Sequence, residues 1–254
     1  MAGVSDQSRV LDIGSGWGAT VFGLARIAKE VVAFDATSEN LRFIDIRRTQ
    51  MGMHNVHPVQ GDLIFYPYLP FPDNYFDVIS MVGVLEWLGD AVPDLDPTQV
   101  QIQVLDKVRA VLKPDGCLHL AIENRFGYRY FLGQRDEHSN LRFATILPRS
   151  LADRYSRLVR RKPYRVYTHS RFALEKLLRD AGFTRLDMYW PVSGYQFPRY
   201  FIDLNSRGPF KYFVSNILSA HWKASMPIRM ASRFIDWLGL HQYLCPSFVI
   251  IARQ

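Results

Sequence analysis

The chain has 254 residues, a formal charge of +7, and 48% apolar against 22% charged residues. That composition excludes wholesale disorder, and no stretch reaches the ~18 uninterrupted apolar residues of a spanning helix. Two cysteines, Cys117 and Cys245, exclude a disulfide framework or a multi-cysteine zinc site, and no metal is expected. The first residues, MAGVSDQS, lack the apolar run of a signal peptide, so a soluble, cytoplasmic protein is expected.

Short apolar runs alternate with helical stretches from residue 9 to about 124. Strands are predicted over 9–13, 30–35, 57–62, 76–82 and 117–123. Their Val, Ile and Leu are continuous rather than alternating, as in strands buried on both faces. Helices are predicted over 20–28, 40–51 and 98–112, the last stopped by the turn Lys113-Pro114-Asp115-Gly116. Repeated strand–helix–strand order gives an α/β fold with a mostly parallel sheet and right-handed crossovers. Residues 125–147 read as a long ordered loop, 148–161 and 170–181 as helices, and Gly182 as a cap. A sixth strand is predicted over 185–190 and a seventh over 247–253. Residues 191–246 between them form an insertion, helical over 210–223 and 228–238. The whole reads as one domain: a cofactor half (9–124), acceptor-side segments (125–184), this insertion and the last strand.

The most specific motif is Val10-Leu11-Asp12-Ile13-Gly14-Ser15-Gly16-Trp17-Gly18, a buried strand running into alternate glycines before a helix. Glycines there let the backbone turn tightly and a ligand approach closely. Asp35 ends the next strand, where a carboxylate can accept hydrogen bonds from ribose hydroxyls. Gly14, Gly16 and Ala19 also satisfy the dinucleotide spacing, so the glycines alone would permit NAD. Asp12 in front of them, Gly61-Asp62 closing the third strand, and Phe76-Asp77-Val78-Ile79 leading to Leu85-Glu86-Trp87 break the tie.

This ensemble resembles the class I S-adenosylmethionine-dependent methyltransferases, with a Rossmann-like doubly wound sheet of seven strands ordered 3-2-1-4-5-7-6. The resemblance implies S-adenosylmethionine as cofactor. Gly14, Gly16 and Gly18 would surround its methionyl part, with Asp12 near the ammonium through water and Asp35 on the ribose. Asp62 would bond the adenine amine, Leu63 would pack beside the ring, and the segment with Val84 and Leu85 would lie under the sulfonium. Plainer roles exist for each carboxylate: organising a turn, capping a helix, or turning at the surface.

Methyl transfer is an in-line displacement that needs alignment more than a fixed triad. The acceptor site should lie at the C-terminal ends of the strands, which points to Glu123, Asn124 and Arg125. Nearby segments add Tyr128, Asp136 and Tyr164 as substrate-binding candidates, and His138 or His169, with Glu123, as candidate catalytic groups. Ile122-Glu123-Asn124-Arg125-Phe126-Gly127, Asp136-Glu137-His138 and Gly194-Tyr195-Gln196-Phe197-Pro198 are similar to bacterial methyltransferases found with enzymes that build cell-surface glycans. That likeness makes a sugar, nucleotide-sugar or lipid-linked glycan the expected acceptor.

Eleven Lys and Arg face two acids between residues 142 and 179, which suits an anionic partner or simply a solvated basic surface. RNA is the competing acceptor. However, Val84-Leu85-Glu86-Trp87 replaces the Asp/Asn-Pro-Pro-Tyr/Phe motif of many amino-group enzymes, and neither cysteine is placed as a nucleophile. A catalytically silent scaffold with the same fold is the third alternative. Only eight residues precede the first strand, where the family places helices. The insertion is therefore expected to act as a lid, or a partner subunit to supply one, or the chain to be a shortened form. Phe210, Phe213, Ile217 and Ala220 form the lid's stripe, and its cations beside Trp222 and Trp237 suit an anionic membrane face.

Overall fold

The computed structural model describes residues 3–218 and 226–254. Its sheet has eight strands in the order β3-β2-β1-β4-β5-β8-β6-β7. Strands β1 (Arg9–Ile13), β2 (Glu30–Asp35), β3 (Val56–Gln60), β4 (Phe76–Val82) and β5 (Leu112–Glu123) run parallel. β8 (Ser247–Arg253) inserts antiparallel between β5 and β6 (Arg185–Val192). The expected seven-strand order is therefore present, with one added edge strand, β7 (Tyr200–Asp203), inside the predicted helical insertion.

Alternation along each strand sends side chains to opposite faces, and here both faces are apolar. Leu11, Ile13, Val32 and Phe34 join one core, under Val104, Leu105 and Val108 of α3 (Pro97–Val111) and Leu174 and Leu178 of α6 (Arg171–Asp180). Val10, Val31 and Ala33 join the other, with Leu41 and Ile44 of α2 (Ser38–Gln50). Continuous hydrophobic runs in the sequence follow from this double burial. At the start of α3 the Asp96 side chain accepts the amides of Thr98 and Gln99, and Pro97 takes the first turn.

Several boundaries move. Helix α1 spans only Val21–Leu24, short of the expected 20–28, with a poor helix former, Gly23, at its centre. Residues 113–116 do not end the helix before a separate strand. They belong to β5 as a bulge, because Phe76 pairs with Leu112 but Val78 with Cys117. The 125–147 segment contains a single helical turn, α4 (Tyr128–Phe131), and α5 (Arg149–Arg160) follows it.

The insertion differs most. In place of one helix over 210–223 there is α7 (Gly208–Tyr212) and a π-helical turn (Phe213–Leu218); Ala220 and Trp222 lie outside the described residues. Phe210 and Phe213 pack on Val192 and Ile202 of β6 and β7 rather than over the acceptor side. An exposed sheet edge with apolar side chains is a stronger sink for that stripe than an open cleft. Beyond it lie α8 (Met226–Trp237) and α9 (His241–Leu244). No helix among the described residues is long and apolar enough to cross a membrane.

Candidate functional site

The C-terminal ends of β1 to β4 open on a cleft of about 660 Å³ that is lined by Gly14, Asp35, Asp62, Leu63, Val84 and Trp87, among others. The Gly14 amide donates to the Phe34 carbonyl at 2.8 Å, which ties the glycine turn to β2. Gly14 has φ +65°, and a Cβ there would lie 2.4 Å from a Val84 methyl carbon. The turn thus needs glycine on two counts, conformation and space. Asp35 accepts the Gly16 and Thr37 amides, each at 2.8 Å. Asp62 accepts the amides of Ile64 (2.6 Å) and Phe65 (3.1 Å), so it turns the chain at the cleft floor. Lys107, which the sequence reading passed over, pins that turn through the carbonyls of Leu63 (2.8 Å) and Tyr66 (2.5 Å).

Three expected cofactor contacts sit elsewhere. Asp12 is buried behind the glycine turn and accepts the Thr20 hydroxyl at 2.7 Å. Burial pushes its carboxyl up to about 6, against the bonds from Thr20 and Ser80. Gly18 faces packing instead of the cleft, since a Cβ there would meet the Phe22 ring at 2.7 Å. Leu85 enters the core, fully buried, because the 3-10 turn Leu85–Trp87 rotates it inward.

The same turn carries Glu86 toward a second group of side chains. His138 Nε2 lies 3.6 Å from Glu86 Oε1 and 3.9 Å from Glu123 Oε2, and its Nδ1 lies 3.2 Å from Asp136. The Tyr195 hydroxyl donates to Glu123 Oε1 at 2.5 Å. Neither Glu86 oxygen nor Glu123 Oε2 has a hydrogen-bond partner, although all three atoms are buried. The group borders this cleft. A Cβ on Gly83, which lines that cleft, would lie 3.3 Å from the Tyr195 hydroxyl and 3.7 Å from Glu86 Oε1. Trp87 also lines the cleft, with its ring 4.8 Å from the His138 ring.

Charge is concentrated here. Burial and the Glu86 carboxylate push Glu123 up to about 7, against Tyr195 and His138. Burial opposes a charge on His138, but Asp136, Glu86 and Glu123 overcome it and push the imidazole up to about 10. Asp136 is held below the usual carboxylate range: burial works the other way, but the bonds from His138 and Ser139 outweigh it. The sequence reading did not assign Glu86 or Tyr195 to an acceptor site.

The remaining candidates serve the framework. His169 is not in this group: its Nε2 bonds Gln101 Oε1 at 2.7 Å, and burial followed by the nearby Arg149 and Arg125 charges lowers it to about 3. Gln101, fully buried, also donates to the carbonyls of Leu85 (2.8 Å) and Tyr167 (3.0 Å), fixing the turn that carries Glu86. A glutamine on the apolar stripe of α3 was the signal for it. Asn124 is fully buried and donates to the Tyr243 and Cys245 carbonyls at 2.7 Å. Arg125 forms no ion pair with Glu123; it holds the Thr145 and Leu147 carbonyls at 2.9 and 2.7 Å. Tyr164 donates to Asp136 at 3.2 Å, and both are buried, so they orient His138 rather than face the cleft. Tyr128 is 42% exposed.

Residues 10–116 match a family model described as a methyltransferase domain. Over this segment the chain is similar to that domain. S-adenosylmethionine is the cofactor this likeness implies, and the observed cradle fits it: a turn without side chains at Gly14, and a carboxylate, Asp35, lining the cleft. The chain is 36% identical over 110 residues to the uncharacterized methyltransferase YcgJ of Bacillus subtilis, which covers 43% of this chain and 38% of the relative. It is 30% identical over 139 residues to ribosomal RNA small subunit methyltransferase A of Listeria welshimeri, which covers 48% of this chain and 46% of the relative. The chain thus matches less than half the length of either curated relative. The crystal structure of YcgJ covers all of this chain and 94% of its own, with a TM-score of 0.53 at 19% identity, a likeness of fold.

Proposed function

We propose that this protein transfers the methyl group of S-adenosylmethionine to a hydroxyl on a polar acceptor such as a sugar, nucleotide-sugar or lipid-linked glycan. Gly14 and Gly16 would receive the methionyl part, Asp35 the ribose, and Asp62 with Leu63 the adenine, while Val84 and Trp87 close the cleft. The cofactor supplies an electrophilic methyl on a sulfonium. This chain's residues align the nucleophile with it and keep water out, and that alignment alone can provide about 7–11 kcal/mol.

One observation carries the acceptor side: Glu86, Glu123, His138 and Tyr195 converge at the wall of the cofactor cleft with hydrogen-bonding capacity left over. Such a group can hold a hydroxyl and take its proton. Its surplus of carboxylates favours a hydroxyl-bearing end over a phosphate. The test uses cofactor labelled in the methyl group, offered with nucleotide sugars, glycolipids and RNA. Label in a sugar or glycolipid fraction supports the reading, and label in none of them with folded, cofactor-binding protein counts against it.

RNA is the second reading, favoured by the Listeria relative and by Arg154, Arg157 and Arg160 along α5. Label found in RNA alone, with binding that weakens steeply in added salt, would replace the first reading with this one. The proposal also includes a membrane contact for a lipid-linked acceptor. On α8, Met226, Met230, Phe234 and Trp237 are each more than half exposed. Co-sedimentation with anionic vesicles, released by salt and weakened in Trp237→Ala, is the expected result. A partner subunit covering the cleft is the remaining element, and the mass of the protein in solution tests it.

A further inference from the structure

We propose that Glu86, Glu123 and His138 bind one divalent cation of the Mn²⁺ type at the wall of the cofactor cleft. The inference rests on the reading of this cluster as the acceptor side and deepens it.

Each residue offers one donor atom, and the three atoms lie within 4.8 Å of one another. Adjacent donors on one ion, at bonds of about 2.1 Å, sit roughly 3.0–3.4 Å apart. The observed 3.6 and 3.9 Å from His138 Nε2 to the two carboxylates close to that spacing with small side-chain rotations. The three donors come from separate fixed elements: the turn after β4, the end of β5, and the segment before α5.

Glu86 supplies the independent observation. It is 1% exposed, yet neither of its oxygens has a hydrogen-bond partner. Among the described residues only the His138 imidazole at 3.6 Å offsets the Glu86 charge, with no hydrogen bond to either carboxylate oxygen, and a divalent cation between two carboxylates offsets both charges. Glu123 shows the same arrangement in half: Tyr195 takes Oε1, and Oε2 is left turned to the group.

The surroundings match those of a ligating histidine. Nδ1 of His138 faces the Asp136 carboxylate at 3.2 Å, which leaves Nε2 for an ion. Asp136 is fixed in turn by Tyr164 at 3.2 Å and by Ser139. Two carboxylates and one imidazole make a mixed oxygen–nitrogen set. Two carboxylates suit a hard ion such as Mn²⁺, and the imidazole moves the preference away from Mg²⁺ toward first-row transition ions, of which Mn²⁺ shares the carboxylate preference. Three protein donors leave coordination positions for acceptor oxygens, and the missing side chain of Gly83 leaves the group bordering the cleft. The cation would thus select acceptors bearing a hydroxyl or a vicinal diol.

Electron paramagnetic resonance of Mn²⁺ tests this on the whole chain after chelator treatment, with circular dichroism reporting the fold. One equivalent of Mn²⁺ should lose its free-ion signal. Affinity should fall at least tenfold in Glu86→Gln and in Glu123→Gln, and about tenfold in Asp136→Asn. Asp180→Asn, an exposed carboxylate paired with Lys176, should leave it unchanged. If Glu86→Gln does not fold, Glu123→Gln carries the comparison. An undiminished free Mn²⁺ signal beside folded wild type, or equal affinity in Glu86→Gln and Glu123→Gln, overturns the site. Calorimetric titration of S-adenosylmethionine into the same samples separates the two claims. Cofactor binding without Mn²⁺ binding removes only the cation, whereas absent cofactor binding counts against the methyltransferase reading.

Discussion

On the cofactor side, the carboxylates that line the cleft are tied to backbone amides: Asp35 to Gly16 and Thr37, Asp62 to Ile64 and Phe65. On the proposed acceptor side neither carboxylate oxygen of Glu86 is hydrogen-bonded and Glu123 keeps one oxygen unbonded, though these atoms are buried. The first region is a finished scaffold whose polar groups shape the chain. The second holds polar groups in reserve for something that the chain does not itself provide. Unsatisfied buried groups are costly in stability, so their persistence beside the cleft favours the proposal that binding and chemistry happen there.

The largest expected effect breaks this comparison on the acceptor side. Glu123→Gln and His138→Ala should each lower turnover about 100- to 10,000-fold, the usual range for positioned proton-transfer groups. Cofactor affinity should stay within about twofold, because neither side chain lines the cofactor cleft. Full turnover in both variants would remove these residues from the chemistry.

Asp12 sharpens the cofactor side. Its carboxyl stands at about 6 in the folded protein against 3.8 when unperturbed. Below pH 3.8 it is protonated in both states and contributes nothing to the difference. Between pH 3.8 and 6 the unfolded chain releases the proton first, so stability falls as pH rises, by about 3 kcal/mol in total above pH 6. Asp12→Asn should therefore stabilise the cofactor-free protein at pH 7.5 by up to about 3 kcal/mol in urea unfolding and leave it unchanged near pH 3.5. An equal stability difference at both pH values would show that burial of the charge is not the cause.

Asp35→Ala comes next. Removing a charge-assisted partner of the ribose should weaken S-adenosylmethionine binding by about 1.5–3 kcal/mol, read by calorimetry. Part of that loss would come through the glycine turn, since Asp35 also holds the Gly16 amide. Unchanged affinity would move the ribose elsewhere in the cleft.

What could be read in the sequence follows the same divide. The glycine turn and Asp35 follow contiguous buried strands, β1 and β2, so local pattern alone pointed to these positions, whereas Asp62 follows the largely half-exposed β3 and stood out by its place after Gly61. Glu123 and His138 were also visible, one by its place at a strand end and the other in a polar loop. Their convergence with Glu86 and Tyr195 was not, because it depends on β8 inserting beside β5 and on the connection after β6 folding back. Leu85 was expected at the cofactor and Glu86 was given no acceptor role, for a smaller reason. A 3-10 turn rotates neighbouring side chains by about 120° each, so one residue's difference decides core or site. β7 was missed because Tyr200 and Phe201 are both exposed, leaving no alternation to detect.

The smallest effect separates two histidines that the sequence could not tell apart. His138 stands among carboxylates beside the cofactor cleft, whereas His169 is bonded to Gln101 and lowered to about 3. A group held neutral in this way stabilises the fold fully above pH 6.5, and that contribution is lost as pH falls toward 3. His169→Ala leaves the buried Gln101 oxygen without its partner, at a cost of about 1–3 kcal/mol in unfolding free energy. Above pH 7 turnover should change only a few-fold, through the turn that Gln101 fixes under Glu86. Gln101→Leu should reproduce both effects, and the double variant should cost less than the sum of the two, as for groups sharing one bond. A loss of turnover from His169→Ala as deep as that from His138→Ala, at unchanged stability, would return His169 to the chemistry.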